Sequence, residues 1–136
     1  CRPTEVRRYQ QRQKRLINYP FDLGLSLEAP PASADPGRSW EQCRQSVAQA
    51  RERMRARQGK PNSRLIDSEI FAIQSWSEGA LSLWEVFRRR LSGSLSARTL
   101  ALAKLSLTIC DLREGAQVSE ADLLEAKHYF GAVRKV

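Results

Sequence analysis

SLSARTLALAKLSLTICDL, residues 94–112, carries more apolar surface than one narrow helical face can use. Leu102, Leu105, Ile109 and Leu112 recur at spacings of three, four and three. Leu100, Ala103, Leu107 and Cys110 repeat that spacing in the adjacent register. A surface helix needs an apolar arc of only about 100°, and two neighbouring stripes exceed it. The spacing therefore predicts a central helix with protein on most of its girth, and with it a mainly α fold organised as a helical bundle. Ser94 or Ser96 is placed to cap its start, and Gly115 stands just past its end as a stop. Arg98 falls in the first turn, where the helix dipole favours anions. Its guanidinium either points into solvent or helps the free N–H groups hold an anion.

Outward from this helix the same period recurs. Ser119 with Asp122 caps a last helix to Phe130, followed by a tail at 133–136. On the other side, Ser39 opens the longest helix, with Gln42 as its capping-box partner and Gly59 as its end. Trp40, Cys43, Val47, Ala50 and Met54 form its apolar stripe, which predicts packing against a neighbouring helix. Arg44, Arg51, Arg53, Arg55 and Arg57 occupy its other faces. Lys60 to Ser63 reads as a loop, Ile66 to Trp76 as a short helix, and Glu78 to Leu91 as another. In the latter, Ala80, Leu83, Trp84, Phe87 and Leu91 fall at core spacing, and Arg88, Arg89 and Arg90 meet the negative end of the dipole.

The first 38 residues differ in character. Pro3 to Leu16 reads as a short basic helix with Thr4 as a possible cap. Phe21, Leu23, Leu25 and Leu27 alternate with Asp22, Gly24, Ser26 and Glu28, which reads as one short half-buried strand or an extended arm. Residues 29–38, with Pro30, Pro31, Pro36 and Gly37, read as a linker. The expected division is 1–28 (helix plus strand), 29–38 (linker) and 39–136 (helical domain).

Charge narrows the partners. The 136 residues carry a net +8, concentrated in two stretches. Residues 1–20 hold six basic side chains and one acidic; residues 38–64 hold eight basic and two acidic. Such clustering suggests a polyanion, nucleic acid before membrane, with Arg7, Arg8, Arg12, Arg51 and Arg55 as its contacts. A merely solvated face is the plain alternative. Cys1, Cys43 and Cys110 are too scattered for a zinc module, and their odd number argues for a reduced, cytoplasmic protein. No apolar run approaches the ~20 residues that span a bilayer, and no signal peptide is present. His128 is the only histidine. There is no GxxxxGK[ST] loop and no acidic pair on a strand to hold magnesium. No metal site and no catalytic set are therefore expected within this chain, which opens at Cys1 without a methionine and reads as a C-terminal piece of something longer.

Several strings together carry a family resemblance. Val6-Arg7-Arg8-Tyr9-Gln10-Gln11-Arg12, the run at Phe21-Asp22-Leu23, and Ala50-Arg51-Glu52-Arg53 with Arg57-Gln58-Gly59-Lys60-Pro61-Asn62 come first. Leu95-Ser96-Ala97-Arg98, Thr108-Ile109-Cys110-Asp111-Leu112 and Leu124-Glu125-Ala126 with Tyr129 follow in the same order. In this order they resemble the C-terminal part of magnesium-chelatase-like AAA+ ATPases of the ComM/YifB group. The resemblance implies that a nucleotide-binding α/β domain precedes Cys1, that residues 1–28 are its tail end, and that residues 39–136 are the helical lid. It implies ATP and Mg2+ as cofactors of the full-length protein, none bound by this piece. The implied partners are the preceding ATPase domain, further copies in a homo-oligomeric ring, and DNA, with no membrane. Arg98 matches the family's lid arginine, the sensor that reaches the nucleotide's phosphates.

Two departures qualify that implication. The family pattern Gly-Pro-Leu-Leu-Asp-Arg-Ile-Asp-Leu places its finger arginine where this chain has Pro20, which supplies no cation. The central helix is one residue short, and Ala101, Leu102 and Leu107 stand where the family has further arginines, leaving Lys104. The leading expectation is the lid of a ring-forming ATPase that remodels DNA. The alternatives are a non-enzymatic basic helical module binding nucleic acid, or a degenerate ATPase-like scaffold subunit.

Overall fold

The computed structural model describes residues 2–17, 37–73, 76–90 and 97–131. Among the described residues six α-helices follow one another: α1 (Pro3–Ile17), α2 (Trp40–Gln58), α3 (Asp67–Ile73), α4 (Glu78–Arg90), α5 (Ala97–Leu112) and α6 (Glu120–Gly131). One 3-10 turn, Asn62–Arg64, joins α2 to α3. The described residues contain no sheet; the only pairing of strand type is a bridge between Trp76 and Val118. The alternating run at 21–28 and most of the linker lie outside the described residues.

α5 is the centre of the bundle, as its two stripes predict. Leu102, Ala103, Leu107, Ile109 and Cys110 are buried, and so are Thr99, Ser106 and Asp111. Leu65, Ile70, Trp76, Ala80, Trp84, Phe87, Val118, Leu123 and Ala126 complete the core around it. A helix enclosed this far must satisfy its own polar groups. Ser106 donates to the Leu102 carbonyl and Thr108 to that of Lys104, both at 2.9 Å. Leu112, placed in the stripe by spacing, is exposed because α5 ends there.

The capping chemistry of α2 and α6 follows the sequence, while Ser94 and Ser96, read as caps of α5, lie outside the described residues. α2 has Ser39 and Gln42 in a reciprocal capping box and Gly59 in the left-handed region at φ 71°. At α6, Ser119 and Asp122 exchange the equivalent bonds. At the end of α5, however, the left-handed residue is Glu114 at φ 61°, not Gly115. Glu114 N–H donates to the Asp111 carbonyl and Gly115 N–H to that of Cys110, a Schellman closure with a non-glycine residue at its pivot. Arg53 holds the Glu114 carboxylate at 2.8 Å. Gly115 is needed for closeness instead: a Cβ there would stand 2.9 Å from Cys110 Sγ.

The basic helix begins at Pro3 as read, but Arg2 and not Thr4 stands at its cap: the Glu5 N–H donates to the Arg2 carbonyl and the Glu5 carboxylate accepts from the Arg2 N–H. One boundary differs. The helix expected to reach Trp76 stops at Ile73. Trp76 is drawn into the bridge with Val118, secured by the Ser77 N–H on the Val118 carbonyl. There it stacks in tilted contact with Phe71 and Trp84, at 5.1 and 6.1 Å between ring centres.

Shortening the centre of this core has a defined cost. Leu107→Ala is expected to lower unfolding stability by about 2–5 kcal/mol in urea titration, whereas Leu124→Ala, at an exposed position, changes it by about 0.5 kcal/mol or less.

Candidate functional site

The Arg-Gln-Gly-Lys-Pro-Asn string folds into a polar clamp between α2 and α5. Gly59 turns the chain out of α2, so that Asn62 comes back beneath Arg57. Arg57 grips Asp111 with both terminal nitrogens, at 2.6 Å to Oδ1 and 2.9 Å to Oδ2. Asn62 donates to Asp111 Oδ2 at 2.8 Å and to Thr108 Oγ1 at 3.3 Å. It accepts from Arg57 at 3.0 Å and from Gln58 at 2.9 Å. Gln58 also donates to the Lys60 carbonyl, and Arg53 donates to the Asp111 carbonyl at 2.9 Å. The Asp111 side chain is 1% exposed, so its charge is stabilised by this bidentate pairing rather than by water.

Beside the clamp, Lys60 Nζ lies 2.7 Å from both oxygens of Glu69. That hydrogen bond, with a second from the Ile66 N–H, holds the Glu69 carboxyl below its ordinary range. The clamp fixes α2 antiparallel against the C-terminal half of α5. Spacing put Arg53 and Arg57 with the other arginines on solvated faces, and both are instead part of this clamp. The string itself was the sign, since a glycine stop followed by proline and asparagine returns the chain upon its own helix.

The expected contact residues are scattered. Arg7, Arg8 and Arg12 are exposed along α1. Arg51 is exposed on α2, and Arg55 pairs with Glu52 at 2.7 Å. Arg98 stands in the first turn of α5, at the end of that helix opposite the clamp; its side chain lies outside what is described. Ala101, Leu102 and Leu107, the apolar residues at the family's arginine positions, are all buried. Lys104 donates to the Ser63 carbonyl at 3.2 Å.

The stripe on α2 departs from expectation. Ala50 and Met54 pack inward, but Cys43 is exposed, Trp40 is 77% exposed and Val47 43%. The cause is geometric: α5 ends at Leu112, level with Arg53, and the first half of α2 runs on beyond it. Among the described residues no group of three histidine, cysteine or acidic side chains is placed to hold a metal. No described helix is long and apolar enough to cross a membrane. Cys110 is a buried thiol whose pKa is pushed up to about 11, first by burial and then by the Asp122 and Asp111 charges.

Residues 37–129 match the family described as magnesium chelatase, subunit ChlI C-terminal. No curated protein and no solved structure matches the chain.

Removing Asp111 takes the opposite charge away from the largely buried Arg57 guanidinium, so Asp111→Ala is expected to cost about 3–5 kcal/mol. In a double-mutant cycle with Arg57→Ala the two losses should be less than additive, by about 1 kcal/mol or more. Additive losses would mean that the two side chains are not coupled. The Cys110 thiol gives a pH signature. Its folded pKa exceeds its ordinary 9.0, so the stabilising contribution is complete below pH 9 and fades as pH rises through about 11. Urea midpoints measured across that window should fall more in the parent than in Cys110→Ala.

Proposed function

Because the chain belongs to the family of the magnesium chelatase subunit ChlI C-terminal domain, we propose that it is the helical lid of a ring-forming AAA+ ATPase of the ComM/YifB type, coupling ATP hydrolysis to remodelling of DNA. The observation that carries this reading is the clamp. A lid must respond to nucleotide as one body, and the bidentate Arg57–Asp111 pair ties the far end of α5 to α2 and to the turn before α3. A shift of the first turn of α5 therefore moves the bundle without reshaping it.

In this reading ATP and magnesium are held by a preceding ATPase domain, and this chain contributes Arg98. A fixed guanidinium beside the γ-phosphate stabilises the charge that moves during transfer and makes lid position depend on that phosphate. The buried Ala101, Leu102 and Leu107 leave Arg98 and Lys104 as the cations of the helix. The nucleotide link thus rests on one side chain at its start. Pro20 at the finger position predicts slow turnover, since a finger arginine contributes ~10³-fold or more. A scaffold that retains the lid but hydrolyses ATP weakly is the second reading that this departure favours.

In the full-length gene product, Arg98→Ala should lower ATP turnover by about 100-fold without moving the thermal midpoint of the bundle. Unchanged turnover would remove the sensing role. Pro20→Arg in the same protein should raise turnover; no rise would place the finger elsewhere.

A further inference from the structure

The first half of α2 is an arm. From Trp40 to Gln49 every residue is exposed except Ser46, which is half-buried. Ten residues of helix span about 15 Å, and a helix this short is marginal in water without packing. Yet the arm keeps the apolar seam of the packed half: Trp40, Cys43 and Val47 continue the line of Ala50 and Met54. Helix-on-helix packing already occupies that line one turn further on, against α5, and the geometry for a second helix is in place beyond it.

Charge specifies which helix. Arg44 and Arg51, seven residues apart, stand on one side of the seam, and the other side carries the uncharged Ser46, Gln42 and Gln49. Trp40, Cys43, Arg44, Val47, Ala48 and Arg51 line a shallow depression of about 340 Å³. An apolar seam bordered on one side by cations complements a helix with leucine-like residues at three-four spacing and carboxylates along one edge. A second copy of this chain fits poorly, because its own α2 would bring arginines to arginines in a molecule of net charge +8. Glu41 lies 3.7 Å from Arg44, an exposed pair weak enough for a partner's carboxylate to replace. Nucleic acid fits less well, because Cys43 and Val47 in the middle of the seam offer nothing to phosphate.

We propose that the exposed seam Trp40–Cys43–Val47, bordered by Arg44 and Arg51, is the docking site for an acidic amphipathic helix of another polypeptide. The surface exists whether or not this chain serves a nucleotide, so the two readings fail separately. Cys43 lies in the seam and reports on it. In a Cys1→Ser background it is the accessible thiol, Cys110 being buried and held protonated by burial and two neighbouring carboxylates.

The test uses the full 136-residue chain in that background. The probe is a 20-residue synthetic helix with leucines at three-four spacing and glutamates along one edge. Binding is read by titration calorimetry, and occupancy by the rate of Cys43 alkylation. The acidic helix should bind, slow alkylation at least tenfold, and weaken as salt is raised. Arg44→Glu with Arg51→Glu, both exposed and outside the core, should weaken binding at least tenfold with an unchanged circular dichroism melt. Trp40→Ala should weaken binding without altering its salt dependence. Four results would each overturn the assignment: no binding, equal binding of the lysine-edged version, alkylation slowed instead by a 30-nucleotide single strand, or self-association of the chain that shields Cys43.

Discussion

The pairing of Arg57 with Asp111 is the constraint on which the arrangement depends. It is an ion pair almost removed from water, and a pair of that kind is tolerated only when its remaining lone pairs and protons are also met. Asn62 meets them, donating to Asp111 and accepting from Arg57 while it also donates to Thr108, and Arg53 takes the Asp111 carbonyl that the helix end would otherwise leave open. Much of the local chain path follows from this requirement. Gly59 must turn left-handed, Pro61 must start the 3-10 turn, and Asn62 must be buried in spite of its amide. Apolar burial determines that a bundle forms. The clamp determines which way α2 lies upon α5.

With the clamp at its end, α5 keeps its middle as core and its charged groups at the two ends and one edge. α5 is enclosed by apolar neighbours along most of its length, and the positions where arginines would suit the family are filled by core side chains. Leu102 and Leu107 are fully buried within the apolar cluster, where a charge would be costly to desolvate. The cations of α5 accordingly stand at its start and on its half-buried edge. Arg98 stands at one such end and Lys104 on the edge, while Asp111 closes the other end.

The register of α2 against α5 also decides what the rest of α2 can do. Because Arg53 meets Glu114 and Arg57 meets Asp111, the helix is only half supported, and its first turns extend past the end of its neighbour. An apolar stripe is retained there without any described contact to account for it. The packed half of α2 is tied to α5 by the Arg53–Glu114 and Arg57–Asp111 pairs, and the arm continues from it as the same helix. On the two proposals above, the nucleotide-sensing end and the docking end lie at opposite ends of the α2–α5 pair.

Helix periods, the capping pairs Ser39–Gln42 and Ser119–Asp122, and the burial of the central helix were all legible in the residues, because each is set by neighbours three or four positions away. The family resemblance was legible for a related reason: its strings are short, local and kept in order. The closing of α5 on Glu114 rather than Gly115 was not legible. A distant arginine holds that carboxylate, and a thiol five residues back needs the glycine's bareness. Nor did spacing separate Arg53 and Arg57 from Arg51 and Arg55, since on an isolated helix all four look alike. Their fates diverge only when a second helix arrives with a carboxylate on one side and ends partway along. Local periodicity determined which elements form; contacts more than forty residues apart decided which charges are spent inside and which stripe is left uncovered.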